Sequence, residues 1–414
     1  MNFSFDPRGP LAIGATFLRW GIVGSLIGLL GGAASAVFLL SLDWATQTHL
    51  DHPWLLYLLP LGGAAIILIY RFAGGGCEAG NNLILESIHD HKTRVPARLA
   101  PVILIATVAT HLFGGSAGRE GTAVQMGGSL AAWIGRKLAL TPHLTRIGLM
   151  AGISAGFGAV FGTPLAGMIF GLEVLAVGRL RYDALLPCLV AALVGDWTCT
   201  GLGVAHSSYA ISSTPDFDAF AIAKILIAIP LFGIVSVVFT EATHGVKTIV
   251  DRLVPWSTVR PMLGGAIVIL LVFLVGTRDY LGLGLPMIAA CFRPEGVVLA
   301  AFAWKLVFTA ITLGTGFKGG EVTPLFFIGA ALGCTLGRLL GLPTDFMAAL
   351  GFVAVFAAAA NTPLACVLMA IELFGHQYAV WFALACCGSY LCSTHRGIYH
   401  AQRVAVSKWT ESRE

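Results

Sequence analysis

Charged side chains are what this chain has least of: Asp, Glu, Lys and Arg make up 11% of its 414 residues, against 57% hydrophobic ones. A soluble globular domain carries roughly 25% charged residues. With a mean hydropathy of +0.84, a membrane protein is the class that remains. Lys and Arg are scattered and the net charge is only +4, so no basic patch supports nucleic-acid binding. The nine cysteines include the adjacent pair Cys386-Cys387 but no C-x-x-C. That pattern predicts neither a zinc site nor a disulfide framework, and the cysteines read as small packing residues. No cofactor is expected. H-E-x-x-H is missing, and His89, Asp90 and His91 read as a polar loop. Gly114-Gly115-Ser116-Ala117-Gly118 has the form G-x-S-x-G without the strand-to-helix setting that exposes a nucleophile. An intramembrane enzyme is therefore a remote alternative to an ion transporter. No linker or low-complexity tract marks a second domain.

Long apolar runs are present instead, from Trp20 to Leu40, Trp54 to Tyr70, Leu99 to Phe113, and onward to the C-terminus. About 20 apolar residues cross a bilayer as a helix, so the chain is expected to be an all-α polytopic membrane protein. The first run follows Arg8 and Arg19 and contains Ala33-Ala34-Ser35-Ala36, which resembles a signal cleavage site. It continues through Val37, Phe38, Leu39 and Leu40, too long for a signal sequence, and reads as the first membrane helix. Arg403, Lys408 and Arg413 in the tail, the amino-terminal arm, and the loop with Lys92, Arg94 and Arg98 carry the basic residues; if these are cytoplasmic, both termini are inside. The tail is too short for a regulatory domain.

The chain also contains an internal repeat. Gly162-Thr163-Pro164-Leu165-Ala166-Gly167, followed by Glu173, returns as Asn361-Thr362-Pro363-Leu364-Ala365-Cys366, followed by Glu372. Upstream, Gly127-Gly128-Ser129-Leu130 to Gly135-Arg136 resembles Gly329-Ala330-Ala331-Leu332 to Gly337-Arg338. Residues of about 15–205 and 215–405 form the two halves of a single transport domain. Transporters built this way commonly insert their halves in opposite orientations and bind substrate where interrupted helices meet. Glycine and proline cluster at Gly74 to Gly76, Gly114 to Gly121, Gly162 to Pro164, Gly314 to Pro324 and Asn361 to Pro363, and these are the expected interruptions.

Gly118-Arg119-Glu120-Gly121-Thr122 opens an apolar helix. A glycine turn aims the helix's free N–H groups and positive dipole end at whatever precedes it, which makes an anion site. A glutamate there occupies the site as a carboxylate and leaves it when protonated, so anion and proton passage compete.

This motif resembles G-[KR]-E-G-P of the CLC family, with Thr122 in place of proline, and Val124-Gln125-Met126-Gly127 continues the likeness. Glu78-Ala79-Gly80 with Asn81-Asn82-Leu83-Ile84, the Gly162 segment with Glu173, Gly320-Glu321-Val322-Thr323-Pro324, and Gly397-Ile398-Tyr399 resemble further CLC segments in family order. The resemblance implies the CLC fold of two inverted repeats, a homodimer with one pore per subunit, and a bacterial inner-membrane location. In that frame the pore serine of chloride-conducting relatives falls at Asn82, or at Asn81 if the register slips. The inner proton-transfer glutamate of chloride/proton exchangers falls at Val174, and the pore phenylalanine at Val322, preceded by Glu321. These departures are similar to the fluoride/proton antiporter branch. The resemblance thus implies fluoride export in exchange for protons, with Glu120 as gate and proton carrier. Asn81 or Asn82, Gly121, Thr122, Val322, Thr323 and Tyr399 would form the anion site, and Glu321 would serve coupling or selectivity. Fluoride holds water tightly, so its site needs strong, closely spaced donors: carboxamides, backbone N–H groups, a hydroxyl and a phenol supply them. A chloride/proton antiporter or chloride channel on the same fold is the alternative. Glu173 and Glu372 read equally as helix-end stabilisers or proton carriers.

Overall fold

The computed structural model describes residues 9–90, 94–216 and 218–409. Arg8, His91, Lys92 and Arg413 lie outside the described residues. In the first half, α1 (Gly9–Asp51), α2 (Leu59–Ile69), α3 (Asn81–His89), α4 (Leu99–Leu112), α5 (Glu120–Lys137), α6 (Pro142–Phe161), α7 (Pro164–Glu173) and α8 (Leu185–Gly201) follow one another. The second half runs through α9 (Ala219–Leu253), α10 (Val259–Val275), α11 (Leu285–Ala290), α12 (Ala301–Gly314), α13 (Val322–Leu340), α14 (Thr344–Ala360), α15 (Pro363–Phe374) and α16 (Ala379–Leu391). Six helical segments among the described residues are long and apolar enough to cross a membrane. The first helix, at 43 residues, extends well beyond the apolar run that announces it, because its flanks need only satisfy backbone hydrogen bonds.

Each expected glycine or proline cluster separates two helices. The interruption after α6 and the one after α14 share one construction. Gly162 (φ +70°) and Asn361 (φ +56°) end their helices in the left-handed conformation. Thr163 (φ −129°, ψ 73°) and Thr362 (φ −130°, ψ 62°) leave the helical region ahead of a proline, and Pro164 and Pro363 begin the next helix, where a missing N–H costs nothing.

Small residues bring the helices into contact. A Cβ on Gly28 would lie 2.8 Å from the Ala191 carbonyl oxygen, and one on Gly32 2.3 Å from that of Gly195, so α1 and α8 cross backbone to backbone. Gly127 meets Gly152 between α5 and α6, and Gly329 meets Gly351 between α13 and α14. Arg136 donates to the Val95 carbonyl and Arg338 to that of Val297, both at 2.8 Å and both reaching back 41 residues. Several cysteines, including Cys188, Cys334, Cys366 and Cys386, are buried within the helices.

Two connections matter for the site. The segment between α8 and α9 is pinned to the start of α14 by Asp345, whose Oδ2 accepts from the Ser212 and Ser213 N–H groups at 2.6 and 2.9 Å. After α16 the chain returns to the centre, where β2 (Arg403–Val404) pairs in parallel with β1 (Ala176–Val177), just beyond α7. His89, expected in a loop, instead closes α3, with Nε2 3.1 Å from the Leu175 carbonyl oxygen.

Candidate functional site

The two halves meet at their glycine turns. Gly118 and Gly320 exchange backbone hydrogen bonds of 2.6 and 2.8 Å in an antiparallel bridge, bringing together the starts of α5 and α13. Glycine is required here: a Cβ on Gly320 would sit 2.8 Å from the Gly121 nitrogen, and one on Gly118 would sit 2.9 Å from the Gly320 carbonyl oxygen.

Glu120 is completely buried at this junction. Its Oε2 accepts from the Thr323 N–H at 3.0 Å and the Arg119 N–H at 3.1 Å. Its Oε1 accepts from the Thr323 hydroxyl at 2.5 Å and lies 3.5 Å from Arg119 Nε. A carboxylate of the first half thus rests on the helix N-terminus of the second, where N–H groups and the dipole favour negative charge. Val322, one residue earlier, is buried at the first position of α13.

Two cavities lie near this junction. A polar cavity of about 150 Å³ is lined by Tyr70, Asn81, Asn82, Gln125, Lys318, Glu321 and Tyr399, among others. Glu120, Thr323 and Arg119 line a smaller space of about 30 Å³ with Ser207, Tyr209 and Phe326. Tyr399 enters the first cavity on the returning tail. It is held by the Ile398 N–H donating to the Ala359 carbonyl at 2.9 Å and the Ala401 N–H donating to Asn82 Oδ1 at 3.0 Å.

That second bond distinguishes the two asparagines, both of which line the larger cavity. Asn82, placed in the serine's position by the sequence, spends its carbonyl oxygen on the backbone that carries Tyr399. Asn81 is the residue whose carboxamide faces the start of α5: its Nδ2 lies 3.0 Å from where a Cβ on Gly121 would be, and its Oδ1 is buried without a protein partner. The Thr122 hydroxyl points away, 2.8 Å from that of Thr107 in α4, leaving only its backbone for the site.

Glu173 and Glu372 take up helix-end positions. Glu173 accepts from Leu364 and Ala365 N–H groups at 3.1 and 2.8 Å, and Glu372 from those of Leu165 and Ala166 at 2.9 and 2.8 Å. Each caps the helix that begins the equivalent segment of the other half. Val174 is buried just past α7. Ser116 is buried, with its hydroxyl 2.9 Å from that of Thr309, and so ties α12 to the glycine turn.

Gln125 and Lys318 escaped the sequence reading as site residues. Gln125 follows Gly121 by one helical turn, so the two share a face. Lys318 is a lone cation in a glycine-rich break of an apolar chain, which is itself a signal of function. Its Nζ lies 4.6 Å from the centre of the Tyr70 ring.

Two inverted halves with broken helices, meeting around a seat of N–H and hydroxyl donors, define a membrane transport protein. The chain belongs to the CLC family: the model described as voltage gated chloride channel matches residues 61–394. It is 51% identical over 398 residues to the "Chloride/fluoride channel protein" of Pseudomonas syringae pv. tomato, covering 94% of this chain and 87% of that one. Identity to the H(+)/Cl(-) exchange transporter ClcA of Cronobacter sakazakii is 26% over 407 residues, covering 91% and 86%. The crystal structure of a CLC-type fluoride/proton antiporter superposes with a TM-score of 0.91 at 34% identity, covering 94% of this chain and 98% of the other. A slow cyanobacterial Cl-/H+ antiporter shares the fold, with a TM-score of 0.76 at 22% identity and coverage of 96% and 97%.

Proposed function

We propose that this protein is a secondary active transporter that exports fluoride from the cytoplasm in exchange for protons, with Glu120 as the gate and proton carrier. The observation that carries this reading is the seat of the Glu120 carboxylate on Thr323, in the wall of the smaller cavity. A carboxylate and a small anion compete for one set of donors. Protonation removes the charge that holds Glu120 there, so the anion enters as the side chain leaves with its proton. The names of the 51% identical relative and of the antiporter with the same fold support fluoride as the anion.

In this reading Asn81, the N–H groups of Gly121 and Thr122, the Thr323 hydroxyl and Tyr399 replace fluoride's hydration, Val322 closes the wall, and Glu321 handles protons or selectivity from the larger cavity. Asn82 acts by holding Tyr399. The whole chain is a single transport unit with halves at about 15–205 and 215–405. It works as a homodimer with one pore per subunit in a bacterial inner membrane, both termini cytoplasmic. The test is efflux from vesicles followed with fluoride- and chloride-selective electrodes under identical gradients. Fluoride should leave faster; chloride efflux at the same rate would instead support a chloride/proton antiporter or channel.

A further inference from the structure

The larger cavity contains a cation that the exchange reading above leaves without a task. Its lining carries Glu78, Glu321, the phenols of Tyr70 and Tyr399, and a single positive group, Lys318. Among the described residues Lys318 has no ion-pair partner. Its Nζ lies 4.6 Å from the centre of the buried Tyr70 ring. An aromatic face steadies an ammonium without neutralising its charge, as a carboxylate would. The backbone is fixed on both sides of Lys318. Phe317 is buried against α2, where a Cβ on Gly63 would lie 2.7 Å from Phe317 Cζ. Gly319 packs on Ala117, whose Cβ would lie 2.5 Å from one on Gly319, and Gly320 is bridged to Gly118. Tyr70 in turn opens a five-residue π-helical turn, Tyr70–Gly74, a rare geometry that often marks functional sites.

We infer that Lys318 draws the transported anion into the larger cavity and sets the concentration at which transport saturates. This inference rests on the function proposed above. The lining runs from the exposed Glu78 and Ala79 to Asn81, whose Nδ2 lies 3.0 Å from where a Cβ on Gly121 would be. An anion entering past Glu78 and Glu321 meets carboxylate repulsion, and a low-dielectric cleft magnifies the field of every charge in its walls. Lys318 offsets that repulsion and replaces part of the hydration the anion gives up. A lysine ammonium is a compact point charge, so it attracts most strongly the anion that approaches closest, fluoride before chloride. Lys247 of α9 also acts on Lys318 and Glu321 but is not in the lining. Lys318 is not among the groups that hold Glu120, so it governs capture of the anion and not the exchange step.

The test measures initial fluoride efflux and proton uptake in vesicles loaded with a range of fluoride concentrations, for wild type, Lys318→Gln and Lys318→Cys. Both variants should raise the half-saturating fluoride concentration by about tenfold, with the maximal rate and the fluoride-to-proton ratio held within about twofold. Treating Lys318→Cys with aminoethyl methanethiosulfonate rebuilds an ammonium at this position and should restore half-saturation. Methyl methanethiosulfonate adds a neutral group of similar attachment and should not, which separates a charge effect from a structural one. Wild type given the same reagents controls for Cys387 and Cys392, which are not fully buried. Variants that saturate where wild type does overturn the inference, and so does a loss that both reagents restore or that neither restores. A wild type that moves no protons with fluoride overturns the exchange reading instead, while the half-saturation comparison still decides the role of Lys318.

Discussion

The starts of α5 and α13 are the same backbone device with different side chains. In each, a glycine turn ends at the Gly118–Gly320 bridge and a helix N-terminus opens onto the molecular centre. The first half puts Glu120 at the first helical position, and the second puts Val322 there, with Glu321 one step earlier. One half therefore supplies a tethered anion and the other its receptor, Thr323. The other pair of helix starts, at α7 and α15, behaves oppositely. There Glu173 and Glu372 are exchanged so that each half caps the other with the same two-oxygen grip. Features that both halves keep hold the fold together, and in the proposed function the places where they differ carry the transport chemistry.

Removing the largest asymmetry should have the largest effect. Glu120→Gln should lower proton uptake coupled to fluoride efflux by at least about a hundredfold, since a carboxamide neither carries the proton nor competes as a charge. Normal coupled uptake in that variant would break the comparison. Glu321→Gln should come next, slowing exchange or shifting its coupling ratio by about tenfold, while Glu173→Gln leaves the ratio intact. Finding the reverse would give the proton role to the symmetric pair.

The two asparagines sharpen the picture further. Asn81→Ser removes a donor facing the start of α5. A hydrogen bond to a charged partner contributes about 1.5–3 kcal/mol, so the fluoride-to-chloride flux ratio should fall by about tenfold or more. Asn82→Ser should instead slow both anions by loosening the Tyr399 segment, with the ratio changing less. A selectivity loss confined to Asn82→Ser would favour the register read from the sequence. The smallest expected contrast lies between Glu173→Gln and Glu372→Gln. Each loses a charged grip on two N–H groups, costing about 1–3 kcal/mol, and their losses of thermal stability in detergent should agree within about 1 kcal/mol.

Most of this architecture is legible in the sequence because glycine and proline mark the helix breaks and the repeat marks their symmetry. Gly162-Thr163-Pro164 and Asn361-Thr362-Pro363 encode a helix stop and a helix start within three residues. Glu120 is legible for the same reason, since its place at a helix start follows from the glycines around it. What local pattern leaves open is which side chains converge from distant segments. Asn82 pairs with a residue 319 positions away and Glu173 with one 192 away, and no spacing rule along one helix announces either bond. The adjacent asparagines differ by about 100° around α3, and tertiary contacts decide what each of them meets.

The central claim is that Glu120 couples anion and proton at a single seat. Recording fluoride with an electrode and pH at the same time, in vesicles of wild type and of Glu120→Gln under one fluoride gradient, tests it directly. The account predicts that wild type takes up protons in fixed proportion to the fluoride it releases, and that Glu120→Gln takes up none with whatever fluoride it still passes. Fluoride leaving wild type with no accompanying proton uptake, or the same proportion persisting in Glu120→Gln, would contradict it.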